Sequence, residues 1–195
     1  MKTQLPILIF LFFYCINLVL RFIYTKGLRN NKDVSFQKKD RFELTLLNIS
    51  RLGMRLTPFV YIFTSWIDQY NYFPPGWFWL VGLFLSLLST VLLYLSHSTL
   101  NKNWSLSLQI RNTQTLITTG IYKYIRHPMY LSILLWCFSL IFLLHNYIAS
   151  LLPLALFVVL MISRIPKEEK MMVEKFGSLY SEYKRKSFRL IPLVY

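Results

Sequence analysis

The amino-acid sequence predicts an all-α integral membrane protein with five transmembrane helices. The chain has 195 residues, of which 55% are hydrophobic and only 15% are charged. Several apolar runs are about 20 residues long, which matches the thickness of a bilayer's hydrocarbon at a rise of about 1.5 Å per helical residue. The basic residues lie mostly between these runs, a pattern that soluble domains of this size do not usually show.

The predicted spans follow one another within a single domain that covers the whole chain, 1–195. We place them at residues 6–24, 42–67, 77–96, 128–144 and 147–163. The loop between spans two and three contains Pro-Pro-Gly, which is a strong turn signal. Only two residues separate spans four and five, so these helices must form an antiparallel hairpin. Residues 164–195 remain as a basic, amphipathic C-terminal segment.

The placement of Lys and Arg predicts the orientation of the helices. Residues 21–41 hold seven, residues 97–127 hold four and the segment from Arg164 onward holds eight, whereas two of the loops hold none. Five spans put every basic segment on the cytoplasmic side, with the N-terminus outside and the C-terminus inside. Arg51 and Arg55 lie inside span two, four residues apart on one face, and we interpret them as snorkelling toward headgroups.

Composition excludes several function classes. The net charge of +14 does not form a continuous basic domain, so it favours contact with anionic lipid headgroups over nucleic acid. Cys15 and Cys137 both lie in apolar runs, where a thiol behaves as a small hydrophobe. Two such cysteines predict neither a disulfide framework nor a metal site.

Residues 116–130 form the one polar, aromatic and basic stretch in the second half of the chain. Pro128 suits the first turn of span four, and His127 before it is pushed out of helical geometry. Gly120 permits a close backbone approach to a ligand, and Tyr122 and Tyr130 offer ring faces and hydroxyl groups. The stretch fits either a small-molecule site or an interfacial aromatic belt with a snorkelling Arg126.

A second polar cluster begins at Arg164. Glu168 follows one helical turn later on the same face, and Pro166 between them should loosen or kink the helix. The two charged side chains either pair with each other or hold two different ligands. The hairpin of spans four and five brings both clusters to the same membrane face, which favours a shared site.

Three motifs occur in a characteristic order: GIYKYIRHPMY at 120–130, RIPKEE at 164–169 and EKFGSLYSEYKRKSFRLIP at 174–192. Over residues 97–192 this combination resembles the isoprenylcysteine carboxyl methyltransferase family. The RHPxY and paired-glutamate elements are shared with a wider set of membrane methyltransferases, including phospholipid methyltransferases. The compact five-span layout is similar to prokaryotic members, which favours a prokaryotic cell membrane, or the endoplasmic reticulum in a eukaryote.

The resemblance implies S-adenosylmethionine as the methyl donor, S-adenosylhomocysteine as the product and no metal. The donor would lie in a cytoplasmic pocket closed by the C-terminal helical segment. The matching donor-pocket positions are Gln109, Gln114, Thr115, Leu116, Ile117, Tyr122, His127, Pro128, Met129, Tyr130 and Glu168. Arg164 matches the arginine that faces the substrate carboxylate. The implied acceptor is a prenylated cysteine, either a small molecule or a protein C-terminus, within the lipid bilayer.

Three rival functions remain open. A phospholipid (ethanolamine) N-methyltransferase would share the donor pocket, but its amine must lose a proton, whereas a carboxylate is already ionised near neutral pH. A membrane reductase with a nicotinamide cofactor would need no glycine fingerprint of the soluble type. A small membrane scaffold would use the polar clusters only as interfacial residues.

Overall fold

A computed structural model of the protein describes residues 4–26, 36–37, 41–101, 109–110 and 115–191. These residues form six α-helices and two short strands. The helices are α1 (Gln4–Lys26), α2 (Arg41–Phe63), α3 (Phe78–Leu100), α4 (Pro128–Leu144), α5 (Tyr147–Phe176) and α6 (Ser178–Lys186). The strands are β1 (Phe36–Gln37) and β2 (Gln109–Ile110), and they pair antiparallel.

The first five helices lie where the spans are predicted, and four of them differ from the predicted spans at one or both ends. Helix α4 has the predicted bounds, while α1 and α3 each continue a few residues further. Helix α2 ends at Phe63, four residues before the predicted end at Ile67. The side-chain amide of Asn146 donates hydrogen bonds to Ile67 O at 2.7 Å and to Asn71 Oδ1 at 2.8 Å. These bonds hold the loop after α2 against the turn between α4 and α5.

The fifth helix continues beyond Ser163, where the predicted span ends. Helix α5 runs without interruption through Pro166 and ends only at Phe176, before a glycine with φ of +55°. The expected loosening at Pro166 therefore does not break the helix, although proline removes one backbone donor there. Helix α6 follows at once, so the C-terminal segment is helical over most of its described length.

Part of the bundle has the length and hydropathy that a membrane span needs. Among the described residues, α1, α3 and α5 are long and apolar enough to cross a membrane, and α4 is a shorter apolar helix. Helix α2 is as long as α1 and α3, but it contains Arg51 and Arg55. The architecture is thus an all-helical membrane type with one small strand pair, and the count of five spans stays a prediction.

Helix α4 packs against α1, α3 and α5. One buried apolar cluster joins α2, α4 and α5 through residues such as Leu47, Cys137 and Phe157. A second cluster lies toward the turn between α4 and α5 and contains Phe10 and Tyr61. This packing holds α4 and α5 side by side. The start of α4 therefore lies level with the C-terminal half of α5.

Candidate active site

The entrance to α4 has the local geometry that the sequence predicts. Pro128 occupies the first turn of the helix, and His127 before it is non-helical, with φ of −124° and ψ of 55°. Proline costs little there because its missing N–H would have had no helical partner. His127 and Pro128 are both buried, so this segment lies inside the protein.

Glu168 connects the two predicted clusters. Its Oε1 accepts a hydrogen bond from Arg164 Nε at 2.9 Å and another from the Tyr130 hydroxyl at 2.7 Å. Its Oε2 lies 3.6 Å from His127 Nδ1. Tyr130 and His127, which lie 38 and 41 positions before Glu168, therefore contact the same carboxylate as Arg164. The predicted hairpin requires this contact. The sequence left open whether Arg164 and Glu168 pair, and in this structure they do.

Glu43 is a site residue that the sequence reasoning missed. Its Oε1 lies 3.8 Å from Arg164 Nη1, and its side chain is almost fully buried, as is that of Arg164. Arg164 thus lies between a carboxylate from α2 and a carboxylate from its own helix. The one available signal was an acidic residue in the first turn of a span, which is costly in a membrane unless it is paired.

Glu169 has a different role from its neighbour. It binds Arg126 Nε at 2.9 Å and Arg189 Nη2 at 3.1 Å, and Lys184 Nζ lies 3.6 Å away. Its side chain is only 5% exposed. Glu169 therefore fastens the segment after α6 to the entrance of α4. Arg126 is not snorkelling, and the interfacial-belt reading of that residue is wrong.

Backbone hydrogen bonds attach the same C-terminal segment to residues 124–127. Arg126 N donates to Phe188 O at 2.8 Å, and Phe188 N donates to Tyr124 O at 2.9 Å. His127 N donates to Arg189 O at 3.1 Å. The chain after α6 thus lies along the polar stretch that precedes α4, which is the contact that a closing segment needs.

Tyr122 is buried beneath α6 and does not form an exposed ring wall. Its carbonyl accepts a 2.6 Å hydrogen bond from the Tyr183 hydroxyl. Burial raises the pKa of Tyr122 well above its ordinary value, and it raises the pKa of Tyr183 to about 12. Both phenols therefore stay protonated over the physiological range and serve as neutral, packed groups.

Gly120 makes a close approach to helix α3. Its φ is +57°, and a Cβ added there would lie 2.9 Å from Thr99 Oγ1. The left-handed backbone and this contact both require glycine. The sequence reasoning assigned the close approach to a ligand, whereas the nearest partner is a neighbouring helix.

The other predicted donor-pocket residues are placed in part. Thr115 is exposed, while Leu116, Ile117 and Met129 are half-buried in the segments around the start of α4. Gln109 lies in β2. Gln114 lies outside the described residues. A separate cavity of about 320 Å³, lined in part by Tyr61, Tyr72 and His145, contains none of the predicted site residues.

A sequence model of the isoprenylcysteine carboxyl methyltransferase (ICMT) family matches residues 80–174. These residues include the start of α4, Arg164, Glu168 and Glu169. The match covers 95 of the 195 residues and includes two of the three motifs. The family resemblance predicted from the three motifs is thereby confirmed.

Named relatives are similar over part of their length. A protein-S-isoprenylcysteine O-methyltransferase of Schizosaccharomyces pombe is 37% identical over 79 residues, which are 40% of this chain and 34% of that protein. Another of Dictyostelium discoideum is 29% identical over 136 residues, which are 65% of this chain and 55% of that protein. The chain thus spans about a third to about half of the length of these relatives.

The fold is similar to that of a solved membrane enzyme. The structure of a eukaryotic intramembrane Ras methyltransferase, ICMT, superposes with a TM-score of 0.59 at 20% sequence identity. The match covers 94% of this chain and 63% of that one. At this level of identity the likeness concerns the helical architecture alone.

Proposed function

We propose that the protein transfers a methyl group from S-adenosylmethionine to the carboxylate of a C-terminal S-isoprenylcysteine, or of a similar lipophilic prenylcysteine, to give the methyl ester. The observation that carries this proposal is the buried Arg164, 6% exposed, which shares Glu168 with residues from the start of α4. A cation is rarely kept in such a place without an anionic partner or a function.

Arg164 suits a carboxylate substrate because a guanidinium presents its N–H groups in the plane that a carboxylate fills. In the present arrangement Nε is bonded to Glu168, and Nη1 lies near Glu43 at a distance too long for a good hydrogen bond. A substrate carboxylate would take the place of Glu168 on this guanidinium. Glu168 would then be available to the donor.

The residues around Glu168 fit the methyl donor. A carboxylate accepts hydrogen bonds from ribose hydroxyls or from an ammonium group, and Tyr130 offers a ring face and a hydroxyl. Within the described residues, His127 Nε2 is buried without a hydrogen-bond partner, and the nearest carboxylate oxygen is 3.6 Å away. When bound, S-adenosylmethionine supplies an electrophilic methyl group on a sulfonium. The predicted donor contacts are Gln109, Gln114, Thr115, Leu116, Ile117, Tyr122, His127, Pro128, Met129, Tyr130 and Glu168.

The chain's own residues act by alignment and by exclusion of water. The substrate carboxylate is ionised near neutral pH, so the site needs no general base. Arg164 holds that carboxylate in one orientation, and the segment fastened by Glu169 covers the polar stretch before α4. Methyl transfer joins an anion to a cation, and a dry site favours a reaction that disperses both charges.

The membrane supplies the route for the lipophilic part of the substrate. We place five spans with the N-terminus outside and the C-terminus in the cytoplasm, so that both polar clusters lie at the cytoplasmic face. The prenyl group then enters between helices from the lipid while its carboxylate reaches Arg164. The eukaryotic relatives favour the endoplasmic reticulum over the prokaryotic cell membrane.

Incubation of the purified protein with labelled S-adenosylmethionine and N-acetyl farnesylcysteine tests the proposal. We expect a base-labile methyl ester, together with saturable binding of S-adenosylhomocysteine. Phosphatidylethanolamine serves as the competing acceptor, and labelled lipid in place of ester would establish the rival amine methyltransferase. Donor binding without any ester would contradict the substrate assignment. Absence of donor binding would contradict the proposed methyltransferase activity. The named relatives lend the rival functions no support.

A further inference from the structure

Arg51 and Arg55 do not stand alone, because a third arginine lies on the facing helix. Helices α1 and α2 meet where the ring of Tyr14 contacts that of Phe59, with centroids 5.1 Å apart. Arg55 and Arg51 lie one and two turns before Phe59, and Arg21 lies two turns after Tyr14. Since the predicted spans run antiparallel, this spacing places the three arginines at neighbouring levels between α1 and α2.

The electrostatic contacts agree with that register. Arg21 lies within electrostatic reach of both Arg51 and Arg55. Arg51 lies within reach of Arg55 and of the site residue Arg164. Next to these arginines, Met54 Sδ lies 3.9 Å from Cys137 Sγ of α4, which fixes this part of α2 against the bundle. The arginines therefore form one group, here called the arginine cluster (Arg21, Arg51 and Arg55).

The apolar segments that surround the arginine cluster carry no acidic side chain. The sequence has no Asp or Glu at 4–26, 44–63, 78–100, 128–144 or 147–163. Within the described residues, the guanidinium groups of these three arginines have no hydrogen-bond or ion-pair partner, although the Arg21 carbonyl accepts a bond from Thr25. Like charges held close together in a membrane-spanning region repel one another and are costly to desolvate. An anion from outside the chain would relieve this repulsion and stabilise the group.

The surroundings of the cluster indicate what carries that anion. Val19 and Phe22 on α1, and Leu52 and Leu56 on α2, flank the arginines and are exposed. These apolar side chains face the space that lipid chains fill in a membrane. Phosphate is the anion that an arginine group binds best, because several guanidinium groups can share its oxygens. A phosphate with attached acyl chains therefore matches both the charge and the apolar rim.

We propose that the arginine cluster between α1 and α2 is a binding site for the phosphate of an anionic phospholipid, whose acyl chains lie along the exposed apolar side chains of these two helices. This site is separate from the donor and acceptor contacts proposed above, and it does not depend on the methyl-transfer reaction. It extends the interpretation that Arg51 and Arg55 snorkel toward headgroups, because it names the phosphate as the group they bind.

Lipid binding to the full chain tests the proposal. The protein is placed in nanodiscs of phosphatidylcholine with and without phosphatidylglycerol, and bound lipid is measured by native mass spectrometry and by the shift in melting temperature. We expect phosphatidylglycerol to be retained and to raise the melting temperature. Arg55→Gln, at an exposed position, should weaken its binding about fivefold, and the Arg51→Gln and Arg55→Gln double variant should weaken it further.

Two matched variants control for unfolding and for general surface charge. Arg185→Gln removes an exposed arginine from α6 and should leave phosphatidylglycerol binding unchanged. The Arg51→Lys and Arg55→Lys double variant keeps both charges but loses the planar guanidinium groups, so it should bind phosphatidylglycerol more weakly than the original protein and more tightly than the Gln double variant. Equal loss in Arg185→Gln would show that only net charge matters and would overturn the site.

Competition identifies the source of the anion. Neither inorganic phosphate nor N-acetyl farnesylcysteine should displace bound phosphatidylglycerol at concentrations that leave the protein folded. Displacement by inorganic phosphate alone would reduce the site to one for a free anion. Displacement by the prenylcysteine would assign the cluster to the substrate, and an equal response to both lipid compositions would refute lipid binding.

Discussion

Arg164 and Glu168 face each other across one turn of α5, with Nε of the arginine 2.9 Å from Oε1 of the glutamate. The pair is buried on the arginine side and receives a second hydrogen bond from the Tyr130 hydroxyl. The proposed reaction requires the two partners to separate, with Arg164 turning to the substrate and Glu168 to the donor. Substitution of each partner should therefore affect a different ligand.

Arg164→Ala should lower the rate of ester formation at least about 100-fold, because it removes the group that aligns the substrate carboxylate. The affinity for S-adenosylhomocysteine should change by less than about threefold. Labelled-methyl assays and calorimetric titration measure the two quantities. Arg185→Ala, on the exposed side of α6, is the matched control and should behave like the original protein. A comparable loss of donor affinity in Arg164→Ala would indicate a purely structural pair.

Glu168→Ala should weaken S-adenosylhomocysteine binding at least about tenfold, because it removes the carboxylate proposed to accept the donor's hydrogen bonds. Glu174→Ala, an exposed carboxylate on the same helix, provides the comparison. Calorimetric titration without substrate isolates this effect from turnover. Unchanged donor affinity in a folded Glu168→Ala protein would contradict the assignment.

Glu169→Gln should act on stability, since Glu169 binds Arg126 and Arg189 in a buried position. Loss of its charge leaves those cations without their partner and should lower the free energy of unfolding by about 3 kcal/mol. Hydrogen exchange should increase across residues 178–191. Glu182→Gln removes an exposed pair with Lys186 and should change exchange little. Protection that persists in Glu169→Gln would rule out this fastening role.

Glu43→Gln should lower the KM for the prenylcysteine about fivefold with little change in kcat. Glu43 lies 3.8 Å from Arg164 and partly neutralises it, so removal of the negative charge should favour a substrate carboxylate. Steady-state kinetics with N-acetyl farnesylcysteine measures both constants. The prediction fails if KM rises, which would mean that Glu43 mainly positions the arginine.

Tyr183→Phe should reveal a pH-dependent contribution from the bond to Tyr122 O. Burial raises the pKa of Tyr183 from 10.0 to about 12, so the folded state retains a proton that the unfolded state has lost between these values. Its stabilisation is therefore complete below pH 10 and disappears as pH rises toward 12. The variant should be less stable by about 1 kcal/mol at neutral pH. The gap in melting temperature should close in alkaline buffer, and a constant gap would contradict the shifted pKa.

The positions of the helices could be read from the sequence because apolar length is a local property. The predicted span at 128–144 coincides with α4, and the two-residue turn at His145 and Asn146 joins α4 and α5 as expected. The ends of α2 and α5 could not be read in the same way. Helix α2 ends at Phe63, and the loop after it is held by Asn146, which donates to the carbonyl of Ile67 from 79 residues away.

The residue types of the site could also be predicted, since an arginine, a carboxylate and a proline-led helix start are visible in the motifs. Their individual roles could not. Glu168 and Glu169 are adjacent, but neighbouring residues on a helix point about 100° apart. One consequently faces Tyr130 and the other faces Arg126 and Arg189.

The sequence by itself determined the apolar helices, the family resemblance and the two polar clusters, because each is encoded by residues close together in the chain. Only the tertiary structure decided that Glu43 joins Arg164, that Glu169 fastens the C-terminal segment and that Arg21 lies opposite Arg51 and Arg55. Each of these relationships joins residues from different elements of the fold. Helix packing sets such contacts, and no local periodicity specifies which faces meet.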